Sequence, residues 1–300
     1  MNGAGKIHAL LSTARIANVP SVVCNVWVGV AAAWMIDPAG YSHGAAGCLA
    51  LAGILLYISG NFLNDWMDRA WDRKHRPERA LPSGRFTPSA YLAAGALLAV
   101  FGLAAAFSVN QAAGWVAAAI VLCVVVYTWI HKKTAWSVIP MGLCRALLPA
   151  MGVAGFSRSF LAISILTGLA LFCYIVGLSL SARSEAVAHA SRLNKSLSLV
   201  LFILAPFWVM ATLGWIGEGS WKTVVAPIVY FGWMAMAMTW FRKPVSRHVS
   251  ALLAGIPLLD WILLLPLFSA SFPSFGIACA LIPPIAFLAA LLLQRLAPAT

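Results

Sequence analysis

Charge is scarce in this chain. Asp, Glu, Lys and Arg make up 9% of its 300 residues, where a soluble domain carries about 25%. Acidic residues are the scarcest, eight against twenty Lys and Arg. Too little charge remains to solvate a globular surface. With 62% hydrophobic residues and a mean hydropathy of +0.90, the chain reads as an integral membrane protein. Paired cysteines are also missing. The six Cys lie singly in or beside apolar runs with no CxxC spacing, which excludes a disulfide framework or thiolate metal site and leaves small packing residues. No soluble domain, low-complexity tract or clear internal repeat stands out. The first fifteen residues hold only a short apolar run, interrupted by Arg15, and are not expected to be a signal peptide.

What is present is a series of long apolar segments, near 19–36, 45–64, 88–108, 111–130, 135–155, 159–181, 196–216, 222–241, 248–270 and 273–293. At 1.5 Å per residue each reaches across about 30 Å of hydrocarbon. The expected fold is an all-α polytopic bundle of nine to ten transmembrane helices, a single membrane domain over residues 1–300. Segment 248–270 is the weakest span, since Pro257, Pro266 and Asp260 break it. A net charge of +12 does not indicate nucleic acid here. Seventeen of the twenty Lys and Arg fall in loops on one side when the segments alternate. That asymmetry places the basic side and the N-terminus in the cytoplasm, with a bacterial inner (plasma) membrane as the expected location.

Half of the acidic residues fall between Asn61 and Arg85. Asn64, Asp65, Asp68 and Asp72 stand at helical offsets of zero, one, four and eight, on one flank of a helix. Clustered carboxylates repel, and hard oxygen ligands suit Mg²⁺ bridging to phosphate oxygens. Arg69, Arg73, Lys74, Arg76, Arg79 and Arg85 surround them as partners for an anionic headgroup. Pro77 and Pro82-Ser83-Gly84 end the helix and form a loop over its mouth. Loops 65–87 and 182–195 are the expected caps of the site.

Other polar residues carry two readings each. At Tyr127–Lys133 an interfacial aromatic belt accounts for Trp129 and His131, while Lys132 or Lys133 either joins that belt or neutralises a phosphate. Glu185, four residues beyond Ser181, is either a second metal ligand or a surface partner of Arg183 or Arg192. Arg145, inside an apolar span, faces a polar cavity or pairs with a carboxylate. Asn18 and Asn25 line a cavity or bond to neighbouring helices. His75, His189 and His248 show no metal-ligand spacing and read as solvated loop residues.

The motif Asn64-Asp65-Trp66-Met67-Asp68-Arg69-Ala70-Trp71-Asp72 resembles the NDxxDxxxD signature of the UbiA family of intramembrane prenyltransferases. Arg79–Arg85 is similar to that family's RPLxSGR-like loop, Arg15–Asn18 to its usual start, and Tyr127 with the following lysines to its Tyr…Lys segment. The resemblance implies a helical bundle, usually of nine helices, around a central cavity. It implies transfer of an isoprenoid from a prenyl diphosphate to an acceptor that the residues leave unidentified, with Mg²⁺ held by two Asp-rich motifs. Carried over, Asn64, Asp65, Asp68 and Asp72 hold Mg²⁺ and diphosphate, and Arg79, Lys132 or Lys133, and Arg145 neutralise the leaving group. The second motif departs from the family pattern. It reads Ser181-Ala182-Arg183-Ser184-Glu185, with Glu185 as the remaining acid and Arg183 replacing part of a metal's charge. Rival readings are an isoprenoid-binding carrier without catalysis and a transporter. A transporter should show inverted repeats and midplane polar residues, whereas here the polar residues gather at one face.

Overall fold

A computed structural model describes residues 3–157, 160–186, 192–212, 221–267 and 273–297. A short helix α1 (Gly3–Thr13) precedes α2 (Val19–Ile36), α3 (His43–His75), α4 (Pro88–Val109), α5 (Gln111–Ile130) and α6 (Val138–Ala154). Then follow α7 (Phe160–Ala186), α8 (Arg192–Thr212), α9 (Trp221–Thr239), α10 (Val245–Ala254), α11 (Ile256–Leu264) and α12 (Pro273–Leu296). No strand occurs among the described residues.

The local sequence explains where these helices begin. Ser42 accepts from the Ala45 N–H to cap α3, and Thr87 does the same for α4 before Pro88. Asn110 caps α5 through its Oδ1, while its Nδ2 donates to the carbonyls of Ala154 and Gly155 at 3.0 Å each. One side chain thereby closes the start of one helix and the end of another. Arg15 adopts φ 47°, a left-handed turn between α1 and α2 that non-glycine residues rarely take.

Nine stretches among the described residues are long and apolar enough to cross a membrane. The protein is an integral membrane protein with an all-α architecture. The tenth expected segment is the nineteen-residue α9, which falls short of that apolarity. The expected break in 248–270 sits at Gly255, between α10 and α11, with Pro257 in the first turn of α11. This interrupted pair is buried in the bundle rather than turned to lipid. Its irregular backbone is therefore surrounded by protein, where a membrane permits it.

Two apolar cores form. One gathers Leu49, Leu56, Leu148 and Met151 from α3 and α6 with α2 and α5. The other packs Tyr174, Leu252 and Ile262 from α7, α10 and α11 with α8, α9 and α12. At the α2–α6 crossing, Gly29 and Gly152 bring the backbones together. A Cβ on Gly29 would strike the Pro149 carbonyl, and one on Gly152 would strike the Val26 carbonyl. Such small-residue contact is how membrane helices approach closely.

Candidate functional site

Helix α3 runs for 33 residues, about 50 Å, well beyond the hydrocarbon thickness of about 30 Å. Its last turns carry Asn64, Asp65, Asp68 and Asp72. The segment from residue 65 is thus helical as far as His75, and only 76–87 is a capping loop. Arg73, Lys74 and His75 in the final turn complement the helix dipole. Asn64, Asp68 and Asp72 are buried, as is Asn61, whose amide donates to the Ala14 carbonyl.

The carboxylates are shared among three basic side chains. Arg79 Nη1 lies 2.9 Å from Asp72 Oδ2 and 3.4 Å from Asp65 Oδ1, folding the 76–87 loop back onto the helix. Asp68 Oδ2 meets His131 Nε2 at 3.1 Å and Lys132 Nζ at 3.4 Å, both from the end of α5. Lys132 also sits 3.3 Å above the Trp71 ring. Asp65 accepts in addition from Thr13 Oγ1, which pairs with the Tyr91 hydroxyl and ties α1 to the cluster.

His131 therefore belongs to the carboxylate cluster and not to an interfacial belt. Its ring stacks on Tyr127, and Trp129 between them turns outward. The spacing Tyr127–His131, four residues apart on one helix face, was the available signal. Lys133 lies on the other side, over Trp129 at 5.5 Å. His248 is likewise no solvated loop residue. It is buried on α10, bonded to Ser181 and to the Ala237 carbonyl. His75 is exposed and stacks on Trp71, while His189 lies outside the described residues.

Arg183 donates to the Ala135 carbonyl and the Ser137 hydroxyl, holding the start of α6. Glu185 lies on the last turn of α7, and its side chain is outside what is described. Arg145 is buried, with Nη1 donating to Ser21 Oγ at 3.1 Å and Asn25 Oδ1 at 2.9 Å. Asn25 donates in turn to Asp260 Oδ2 at 2.7 Å. Asp260 is buried as well.

A cavity of about 290 Å³ lies between the two apolar cores. Arg15, Asn64, Arg76 and Arg79 line its mouth. Leu56, Ile120, Val124, Leu148, Ile175 and Leu178 line its body, and Arg145 with Tyr57 and Asn18 its deeper polar wall. A second cavity of about 240 Å³, walled by α1 and the 76–87 loop, shares Arg15, Arg76 and Arg79 and adds Arg85.

The oxygens of this cluster suit a hard cation. Asn64 Oδ1 and Asp72 Oδ1 are buried without a hydrogen-bond partner. Buried oxygens left this way are costly unless something else satisfies them. They lie beside Asp65 and Asp68 on one helix flank, an all-oxygen set of the kind Mg²⁺ takes. Among the described residues no three His, Cys, Asp or Glu side chains converge, because Arg79 holds two carboxylates and His131 with Lys132 the third. The residues fit a divalent cation, to which Arg79, His131 and Lys132 would yield oxygens.

Comparison with known proteins agrees with this architecture. Protoheme IX farnesyltransferase 1 of Bacillus subtilis is 28% identical over 128 residues, 41% of this chain and 40% of that protein. The chain thus matches about two fifths of that relative's length. A solved structure of digeranylgeranylglyceryl phosphate synthase superposes with a TM-score of 0.63 at 17% identity, covering 92% of this chain and 99% of the other. A UbiA homologue from Archaeoglobus fulgidus bound to GPP and Mg²⁺ gives a TM-score of 0.51 at 13% identity, covering 96% and 99%. Both share the fold. The model of the UbiA prenyltransferase family matches residues 22–254, well over half of the chain, and the protein belongs to that family.

Proposed function

We propose that this protein transfers a prenyl group from a prenyl diphosphate to an acceptor within the membrane, with Mg²⁺. The observation that carries the reading is a single cavity joining a mouth of Arg15, Asn64, Arg76 and Arg79, the last bonded to Asp65 and Asp72, to an apolar body. A prenyl diphosphate has an anionic head and an apolar tail, and each end meets matching chemistry there. The family supports the reaction class. The UbiA homologue whose structure holds GPP and Mg²⁺ supports the metal.

Asn64, Asp65, Asp68 and Asp72 hold the metal. When bound, Mg²⁺ neutralises charge on the leaving diphosphate. Arg79, Arg76 and Arg15 bind the remaining diphosphate oxygens from the loop and from the α1–α2 turn. Lys132, positioned by Asp68 and Trp71, adds a further cation beside the carboxylate cluster. As the allylic C–O bond breaks, its electron pair leaves with the diphosphate, and preorganised cations stabilise that charge. The apolar walls keep water from the allylic carbon until the acceptor attacks. The loop-charge asymmetry supports a cytoplasmic N-terminus and carboxylate cluster, in a bacterial inner membrane.

The test uses purified protein in detergent, offered prenyl diphosphates of several lengths with and without Mg²⁺, and Asp68→Asn in parallel. Mg²⁺-dependent thermal stabilisation and pyrophosphate release, both lost in the variant while membrane insertion persists, are expected. Full activity in Asp68→Asn sinks the proposal. Stabilisation without release under any acceptor replaces it with an isoprenoid carrier.

A further inference from the structure

We propose that Arg145 and Tyr57, backed by the buried Asn25–Asp260 pair, form a separate subsite that binds the acceptor, and that the acceptor's anchoring end is uncharged and rich in oxygen. This rests on the prenyl-transfer reading above.

Depth separates the subsite from the diphosphate. The Arg145 guanidinium lies over the Tyr57 ring, 5.1 Å from its centroid. Tyr57 is seven residues before Asn64 on α3, so about 10 Å separates the two levels along the helix. Arg145 is also seven residues inside α6, and Asn25 six residues inside α2, again about 10 Å and 9 Å from those helix starts. A cation two turns below the mouth is badly placed to neutralise a headgroup held at Asn64–Asp72. The cavity nevertheless reaches it.

Charge balance sets the ligand class. Asn25 turns its oxygen to Arg145 and its amide nitrogen to Asp260, the orientation that links a cation to an anion. The ionised form of Asp260 compensates Arg145 within the protein, one side chain away through Asn25. An added anion would leave the site with net negative charge in a low-dielectric interior, which is costly. Had the subsite evolved for an acid, Arg145 needed no internal partner. Hydrogen-bond capacity completes the picture. Guanidinium has five N–H donors, and the two bonds described both leave from Nη1. The Tyr57 hydroxyl accepts from Asn18 Nδ2 at 3.0 Å and keeps its own proton to donate. Two donors thus face the cavity, and they suit hydroxyl, carbonyl or ether oxygens on a neutral molecule.

The experiment pairs donor binding with transfer. Affinity for geranyl S-thiolodiphosphate with Mg²⁺, which mimics the donor without ionising, is measured by calorimetry for the wild type and for Arg145→Gln/Asp260→Asn. The double variant preserves charge balance, and its folding is checked by gel filtration and by that same binding. Transfer from radiolabelled prenyl diphosphate is then followed with a small-molecule cell extract split on an anion exchanger. Donor-analogue affinity should stay within about twofold in the double variant. Transfer to the uncharged fraction should fall at least about 100-fold, as expected for losing charged hydrogen bonds. A tenfold loss of analogue affinity would show that Arg145 serves the diphosphate and overturn the assignment. So would unchanged transfer, acceptor activity confined to the anionic fraction, or transfer from neither fraction. Failure of the wild type to bind the analogue removes the donor site itself, and the proposed reaction falls with it.

Discussion

Arg79→Gln offers the sharpest test of how the carboxylate cluster is held. One guanidinium nitrogen touches Asp72 at 2.9 Å and Asp65 at 3.4 Å, so the two acidic oxygens are at most about 6 Å apart. Without the cation they repel by about 3 kcal/mol at an effective dielectric of about 20. The Asp72 side chain is 2% exposed and the Asp65 side chain 13%, so water screens little of this. Some relaxation reduces the figure, and a net loss of roughly 2–3 kcal/mol is expected in chelator, somewhat below the roughly 3–5 kcal/mol seen when a fully buried ion pair loses one partner. That corresponds to a fall in unfolding temperature of about 6 °C for a chain of this size. Mg²⁺ should restore most of it by taking the place of the guanidinium, so the variant should gain more from the ion than the wild type. The assay is thermal unfolding in detergent across a Mg²⁺ titration, with Ca²⁺ and NaCl at matched ionic strength as controls. Equal stability of variant and wild type in chelator would refute the bridging role of Arg79. Loss of stability that Mg²⁺ fails to restore would refute the oxygen cluster as its site.

Two further outcomes follow from neighbouring geometry. Lys132→Met should lower transfer about 10- to 100-fold, since it removes a charge-assisted bond to Asp68; Lys133→Met, which loses only an exposed contact with Trp129, should stay within about twofold in the same radiolabel assay. Gly152→Ala should destabilise by about 1–3 kcal/mol or more, because its Cβ meets backbone on α2, whereas Gly47→Ala, with open space at its Cβ, should gain up to about 1 kcal/mol from helix propensity; detergent unfolding curves of the two variants decide between them.

Much of the fold could be read from the chain because a membrane imposes one rule, a long apolar run for each crossing. The break at Gly255 was foreshadowed by Pro257, which suits the first turn of a new helix better than the interior of a continuous one. The Asn64–Asp72 flank was readable for a similar reason: helical spacing alone puts those side chains together. What stayed hidden depends on partners far away in sequence. His131 is 63 residues from Asp68, and its spacing from Tyr127 is the one local hint that sets it apart from a belt residue. His248 follows a basic loop and looks solvated until α7 and α9 close over it. Asn25 meets Asp260 across 235 residues, so the polar wall it builds with Arg145 emerges only when α2, α6 and α11 are assembled. Gly29 and Gly152 gave no signal either, since a glycine at a helix crossing and one facing lipid are the same letter.

The unbroken length of α3 has a consequence for how this protein can vary. One rigid rod fixes both the depth of the span and the compass bearing of Asn64, Asp65, Asp68 and Asp72. A single residue inserted between Leu56 and Asn61 would turn that whole flank by about 100° and carry it away from Arg79, His131 and Lys132. A flexible loop absorbs such a change, and a continuous helix passes it on undiminished. Thickness of the membrane and aim of the carboxylates are therefore locked together, and α3 can change length here only by steps that bring the flank back to its bearing, such as two full turns of seven residues.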